Sequence, residues 1–312
     1  MSRLGRLWAA AALVALLAPA AVGAGGIHLG GENGVRIWPI RYRAHDGWMR
    51  KAYLVLPRWY GPRDDPPIPL VISPHGRRVP AIDNVRVWGN LPWYGHFGVI
   101  NPEGQGRRLT LYAWGDPGDV RDLAAMPRIA RQAYPWLRID PQRVYAFGGS
   151  MGGQETLLLV ARYPHLLAGA AAFDAPTNMA ARYFAFSQLR FGSTLQERAR
   201  LEIGGTPITD PRGYRARSPL DWAKRIAFSG VPLQIWWSTR DRIVTNQAQE
   251  SGALYRDIMR LNPAAPVIEV VGTWHHTAEM RTGTKLPFAL RLFGLIPPAR
   301  QHAGVLRIPR IP

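Results

Sequence analysis

Residues 144–157 read VYAFGGSMGGQETL, a short apolar run that breaks into four glycines around a single serine. Glycine surrenders more backbone freedom on folding than any other residue, so such a cluster marks a geometry that other residues cannot take. Gly148-Gly149-Ser150-Met151-Gly152 meets the pattern G-x-S-x-G. In that pattern a strand turns so sharply into a helix that the serine is held at the apex, and glycine two places to either side avoids a clash. RVYAF supplies the strand, and QETLLLVARYP supplies a helix that stops near Pro164. Gly148 and Gly152 are read as the elbow glycines, and Gly153 gives the helix room to approach the sheet. At the helix start the N–H of Met151 lacks an intrahelical partner and can donate to an oxygen that turns negative beside Ser150.

A serine hydroxyl is a weak nucleophile at neutral pH unless a base takes its proton and a third group orients the base. Asp241 lies in STRDRIV, directly after the apolar run PLQIWWS. Asp174, after LLAGAAAF, is a competing acid, and pairing with Arg240 or Arg242 is the structural alternative for Asp241. The segment GTWHHTAEM follows PVIEVV and carries His275 and His276. Adjacent side chains point in different directions, so one of the two reaches Ser150. His276 is favoured because the base sits where its loop enters the next helix, with a small hydroxyl residue after it; His275 is the alternative. Upstream, SPHGRR follows IPLVIS and offers the N–H groups of Gly76 or Arg77 as further donors, with His75 shaping the loop.

The rest of the chain suits a covered, mostly parallel sheet. VRIWPIRYRAHDG and RKAYLVLP read as two strands joined through Asp46-Gly47. IPLVIS and FGVINPEG are short buried strands, and apolar positions from Val120 to Ala133 recur at helical spacing. Residues 177–229 are too long for a simple connection and are read as a helical insertion with a lid as one role. Trp88, Trp93, Tyr94 and Trp274 are candidates for an aromatic pocket wall, or for plain core.

Charge and composition narrow the classes. Lysine and arginine number 39 against 21 acidic residues, a formal charge of +18. The arginines are scattered, with no basic run and no zinc-finger or RNA-binding signature, so no nucleic-acid partner is expected. Contact with anionic cell-surface polymers is the sharper reading of the charge, and a solvated surface is the plainer one. The absence of cysteine excludes thiol catalysis and thiolate metal sites. Arg3 and Arg6 ahead of an apolar run from Leu7 to Leu17, then Val22 and Ala24, give the layout of a cleaved signal peptide over residues 1–24. The expectation is therefore a secreted protein with one domain over residues 25–312.

These motifs, and DPQRVYAFGGSMGG above all, resemble the α/β-hydrolase superfamily, in particular secreted esterases and the catalytic domains of prolyl-oligopeptidase-type (S9-like) peptidases. The resemblance implies an α/β-hydrolase fold with a mostly parallel central sheet flanked by helices. It implies Ser150 as nucleophile, Asp241 as acid and His276 as base, with no metal and no cofactor. A small-molecule ester is the expected substrate, a peptide is the alternative, and a non-catalytic binder of anionic polymers on the same fold is the remaining rival.

Overall fold

The Asp46-Gly47 dipeptide turns the chain back on itself, with Gly47 at φ 85°, and sets β1 (Val35–Arg43) antiparallel to β2 (Met49–Pro57). The computed structural model describes residues 34–278 and 285–297. The signal peptide read over residues 1–24 and the tail carrying His302 lie outside the described residues. After the hairpin come β3 (Ile68–Ile72), β4 (Gly98–Pro102), β5 (Ile139–Gly149), β6 (Gly169–Phe173), β7 (Leu233–Ser238) and β8 (Val267–Gly272). They form one sheet in the order β1-β2-β4-β3-β5-β6-β7-β8, antiparallel up to the β2–β4 pair and parallel beyond it. Every residue of β3, β4, β6 and β7 is buried, as expected for strands covered on both faces.

Helices cover both faces. On one side lie α3 (Pro117–Ala133), α4 (Met151–Arg162), α8 (Ala223–Ala227) and α9 (Ser251–Leu261), burying Leu123, Leu157, Ile226 and Leu254 against the sheet. On the other, α1 (Ala81–Trp88) and α10 (Lys285–Leu292) bury Val85, Trp88 and Leu286. The segment after SPHGRR that carries Trp88, Trp93 and Tyr94 holds α1, followed by the short α2 (Leu91–Gly95). Trp88 is core, its Nε1 donating to Ser73 Oγ at 2.9 Å, whereas Trp93 and Tyr94 are exposed. Helix α3 starts earlier than its apolar spacing suggests. Asp116 Oδ1 accepts from the N–H of Gly118 (2.8 Å), and Pro117 fills the first turn where no N–H is needed.

The expected insertion is helical: α5 (Met179–Ala185), α6 (Gly192–Ile203), α7 (Pro211–Ala216) and then α8 lie between β6 and β7. It builds a small core of its own, in which Met179, Tyr183, Phe186 and Ile203 pack with Trp114 and with Met151 beside the elbow. Two buried ions fix it to the parent fold. Glu202 accepts from the N–H groups of Arg107, Arg108 (2.8 Å) and Leu109 (2.9 Å). Arg217 reaches Asp116 at 2.7 Å and the Ala113 carbonyl at 2.6 Å, while its own carbonyl accepts from Gln154 Nε2 at 2.7 Å.

Beneath the site, α3 and α4 bring acids together in the core. Asp119 Oδ1 accepts from Gln105 N–H at 3.0 Å, but its Oδ2 and Glu155 Oε1 are buried without a hydrogen-bond partner among the described residues. Burial, with help from the charges of Asp122 and Asp116, pushes the Asp119 carboxyl up to about 7 against the pull of Gln105 N–H and His45. Burial, then the charge of Asp119, raises Glu155 as well. A carboxyl raised on folding adds stability below its unfolded value, and that contribution is lost as pH climbs through the folded one. Asp119→Asn keeps an acceptor for Gln105 and removes the loss. It is expected to raise the thermal midpoint at pH 8 by roughly 2–6 °C, with a gain that shrinks towards pH 4, as scanning calorimetry at both pH values would show.

Candidate active site

β5 runs straight into α4, and Ser150 sits between them at φ 57° and ψ −124°, a conformation that a residue with a side chain adopts only under constraint. Its N–H donates to the Phe173 carbonyl at 2.8 Å and its carbonyl accepts from Gln154 N–H at 3.0 Å, so both flanks of the apex are pinned. The glycines are sterically required. A Cβ on Gly148 would overlap the carbonyl of Gly152, and one on Gly152 would overlap the carbonyl of Pro74. Gly153 stands against Ala175 and the Gly148 carbonyl. Gly76 differs, since a Cβ there would meet nothing nearer than Val79 at 3.6 Å. Gly152→Ala is expected to cost about 2 kcal/mol or more and to lower the thermal midpoint, whereas Gly76→Ala leaves it within roughly 2 °C; parallel melting curves would check both.

The loop after β3 lies against this elbow and is held by His75. That ring is buried, with Nδ1 2.7 Å from the Gly76 carbonyl and Nε2 2.9 Å from Gly104 N–H. The pairing places the proton on Nδ1, because Nε2 must accept. Burial holds His75 below the usual imidazole range, although both backbone bonds oppose the shift. His75 is thus a neutral strut that sets the position of Gly76 and Arg77, in keeping with its reading as a loop-shaping residue.

Asp241 and His276 meet at the carboxyl ends of β7 and β8. His276 Nδ1 lies 2.7 Å from Asp241 Oδ2 and both residues are buried, whereas His275 is exposed. The second Asp241 oxygen accepts from the N–H groups of Ile243 (2.8 Å) and Val244 (3.0 Å), and Gln247 Nε2 reaches Oδ2 at 3.2 Å. Burial works to raise this carboxyl, but the bonds and charge from His276, Ile243 and Gln247 outweigh it and hold Asp241 below the ordinary range. Neither Arg240 nor Arg242 pairs with it among the described residues. With Nδ1–H donated to Asp241, the imidazole keeps Nε2 free to exchange a proton. No hydrogen bond to the Ser150 hydroxyl forms among the described residues.

Asp174, the competing acid, is fully occupied elsewhere. Its Oδ1 accepts from Ser238 N–H at 3.0 Å, and its Oδ2 accepts from Trp274 Nε1 (2.9 Å) and Thr277 N–H (2.6 Å). Trp274 and Thr277 flank the two histidines, so Asp174 holds the loop that presents His276. Burial raises its carboxyl, while the Thr277 and Trp274 donors oppose the rise. The carboxylates of Asp174 and Asp241 and the His276 ring converge closely enough to ligate an ion, but each already has the protein partners just described.

A pocket of about 20 Å³ opens at the serine, lined by Ser150, Met151, Arg77, Trp114, Arg182 and Phe186 among others. The aromatic wall therefore comes from Trp114 and from Phe186 of the insertion, not from Trp88, Trp93, Tyr94 or Trp274. Arg182 was not singled out in the sequence, although it left a signal there. Met179, Arg182, Tyr183 and Phe186 recur at helical spacing, which places a cation on an apolar stripe.

This is the constellation of a serine hydrolase, and comparison with known proteins agrees. A segment of the chain is 31% identical over 110 residues to poly(3-hydroxyalkanoate) depolymerase C of Paucimonas lemoignei, covering 33% of this chain and 27% of that protein. The acylaminoacyl peptidase of Pyrococcus horikoshii shares the fold at TM-score 0.59 and 16% identity, over 80% of this chain and 38% of that one. An esterase of Pyrococcus furiosus does so at TM-score 0.57 and 16% identity, over 83% of this chain and 91% of that one. The chain thus spans about a quarter of the depolymerase and well under half of the peptidase. The model of the prolyl oligopeptidase family matches residues 103–259, from the loop after β4 through the elbow and the insertion into α9, and the chain belongs to that family.

Proposed function

We propose that the protein is an exported serine hydrolase that cleaves carboxylic esters through an acyl-enzyme on Ser150. The observation that carries the reading is the 2.7 Å bond from His276 to Asp241, which leaves Nε2 available at the end of the sheet where Ser150 stands strained on its elbow. Ser150 Oγ attacks the carbonyl carbon as its proton passes to His276 Nε2. The oxyanion takes hydrogen bonds from Met151 N–H and from the loop at Gly76 and Arg77. Collapse of the intermediate breaks the bond to the alcohol, which leaves with the proton from His276. Water repeats the sequence on the acyl group, and the carboxylic acid is released.

Ester rather than peptide chemistry is favoured by an insertion packed against Met151 beside the elbow, which narrows the approach for a long chain. The esterase that shares the fold over 91% of its own length fits this reading, as does a polyester depolymerase among the relatives. Peptidase activity in the manner of the family name is the second reading, carried by the match over residues 103–259. Export rests on the layout of residues 1–24, and a charge of +18 suits contact with anionic polymers outside the cell. The deciding experiment is intact-mass analysis after fluorophosphonate treatment, followed by turnover of aryl esters beside aminoacyl arylamides. One adduct per chain with ester turnover is expected; an unlabelled, well-folded protein would overturn the reading.

A further inference from the structure

Two guanidinium groups line the pocket at Ser150, and the acyl-transfer steps use neither. Arg77 lies in the loop that carries the oxyanion donors, where its backbone and not its guanidinium is used, and Arg182 projects from α5 of the insertion. Arg182 is only 4% exposed. Its Nη2 donates to the Ile243 carbonyl and its plane stands over the Phe186 ring at 4.9 Å, so the group is fixed in place. Its Nη1 is buried without a hydrogen-bond partner among the described residues, and so is Nη1 of Arg77. A desolvated donor left unpaired is costly, and more so when it carries charge.

The neighbouring acids offset part of this charge from a distance, but neither is paired with the Arg182 guanidinium among the described residues. Glu250 Oε2 is taken by the N–H groups of Thr177 and Asn178, both at 2.7 Å, and by the Thr177 hydroxyl. Asp241 is committed to His276, Ile243, Val244 and Gln247. Burial lowers the Arg182 guanidinium to about 10, and the charge of Arg77 pushes the same way against Glu250 and Asp241. Burial lowers Arg77 too, with Arg78 and Arg198 as further like charges at its side. Two cations therefore line one small cavity beside the nucleophile, and each has a buried N–H without a hydrogen-bond partner among the described residues.

A group that can satisfy both is a carboxylate, whose two oxygens accept guanidinium N–H bonds in a plane. We infer that Arg77 and Arg182 form an anion subsite, and that the preferred substrates are esters carrying a free carboxylate a few bonds from the scissile carbonyl. This rests on the hydrolase reading above and names its substrate class. Half-esters of short dicarboxylic acids belong to the class, as do short oligoesters of hydroxy acids, which end in one free acid.

The test compares monoethyl glutarate with its neutral isostere ethyl 4-carbamoylbutanoate, by ethanol release. The wild type is expected to favour the carboxylate by about tenfold or more in kcat/KM. That ratio should fall by about tenfold in Arg182→Met and in Arg77→Met, with Arg182→Lys in between because it keeps the charge but not the fork. A wild-type ratio at or below one, or a ratio unchanged in both methionine variants, would overturn the subsite. If Arg182→Met does not fold, Arg77→Met and the wild-type ratio still decide.

A second arm removes chemistry from the question. Glutarate titrated calorimetrically into Ser150→Ala should bind, and binding should weaken about tenfold when Arg182→Met is added. Inorganic phosphate serves as the competitor, and tighter binding of phosphate than of glutarate would refute the carboxylate class. Turnover of neutral esters with no glutarate binding would sink the subsite and leave the hydrolase standing. Glutarate binding by a protein that fluorophosphonate does not label would sink the hydrolase and leave the subsite.

Discussion

Ser150→Ala is expected to lower kcat on any ester the protein hydrolyses by about 10⁶-fold, leaving the small residue that an oxyanion hole and binding provide on their own. The substitution removes one oxygen and asks nothing new of the backbone. Alanine and serine meet the same difficulty at φ 57°, and the bonds that pin the apex, Ser150 N–H to Phe173 and Gln154 N–H to the residue 150 carbonyl, are made by the main chain. The thermal midpoint should therefore stay within roughly 2 °C of the parent, so lost turnover reports chemistry rather than folding. Circular dichroism on the sample used for kinetics separates the two. A folded Ser150→Ala that keeps turning over ester would show that another nucleophile, or none, carries the reaction.

The second large effect divides two neighbours in the chain. His276→Ala should cost about as much as loss of the serine, because nucleophile and base act as a unit and removing either disables both. His275→Ala should change kcat/KM by less than about threefold, since an exposed side chain with no part in the relay behaves as an ordinary surface position. Asp241→Asn belongs with the first group at roughly 10⁴-fold, the size of effect seen when the imidazole is left in the wrong tautomer. Steady-state kinetics on the three variants gives the ranking. A large loss at His275 with a small one at His276 would transfer the role of base and would require the loop held by Asp174 to turn over.

Much of the fold could be read because its signals are local and steric. The glycines at 148 and 152 announce the elbow, since a Cβ at either would strike backbone. β3, β6 and β7 are apolar runs without alternation because both of their faces are covered. What escaped the sequence depends on distant partners. Trp88 lies in a helix, but AIDNVRVW follows a proline turn and carries only two turns of pattern. The division of labour between Asp174 and Asp241 could not be read from spacing either. Both follow strands, and only the fold shows that the first binds backbone and indole N–H groups while the second meets the imidazole. The pocket wall escaped for a related reason. Trp114 and Arg182 are far apart in sequence and meet only because the insertion folds across α4.

The way the insertion is fastened bears on how substrate choice can change. Glu202 grips main-chain N–H groups in the segment 107–109, and Arg217 grips a main-chain carbonyl and a helix-capping aspartate. These joints depend on backbone position and hardly at all on the side chains around them. Helices α5 to α8 thus sit over the reaction centre as a cassette, joined to it by polar contacts made largely to main-chain atoms. New selectivity can be written in the cassette, at positions such as 182 and 186, without rewriting the machinery that breaks the bond.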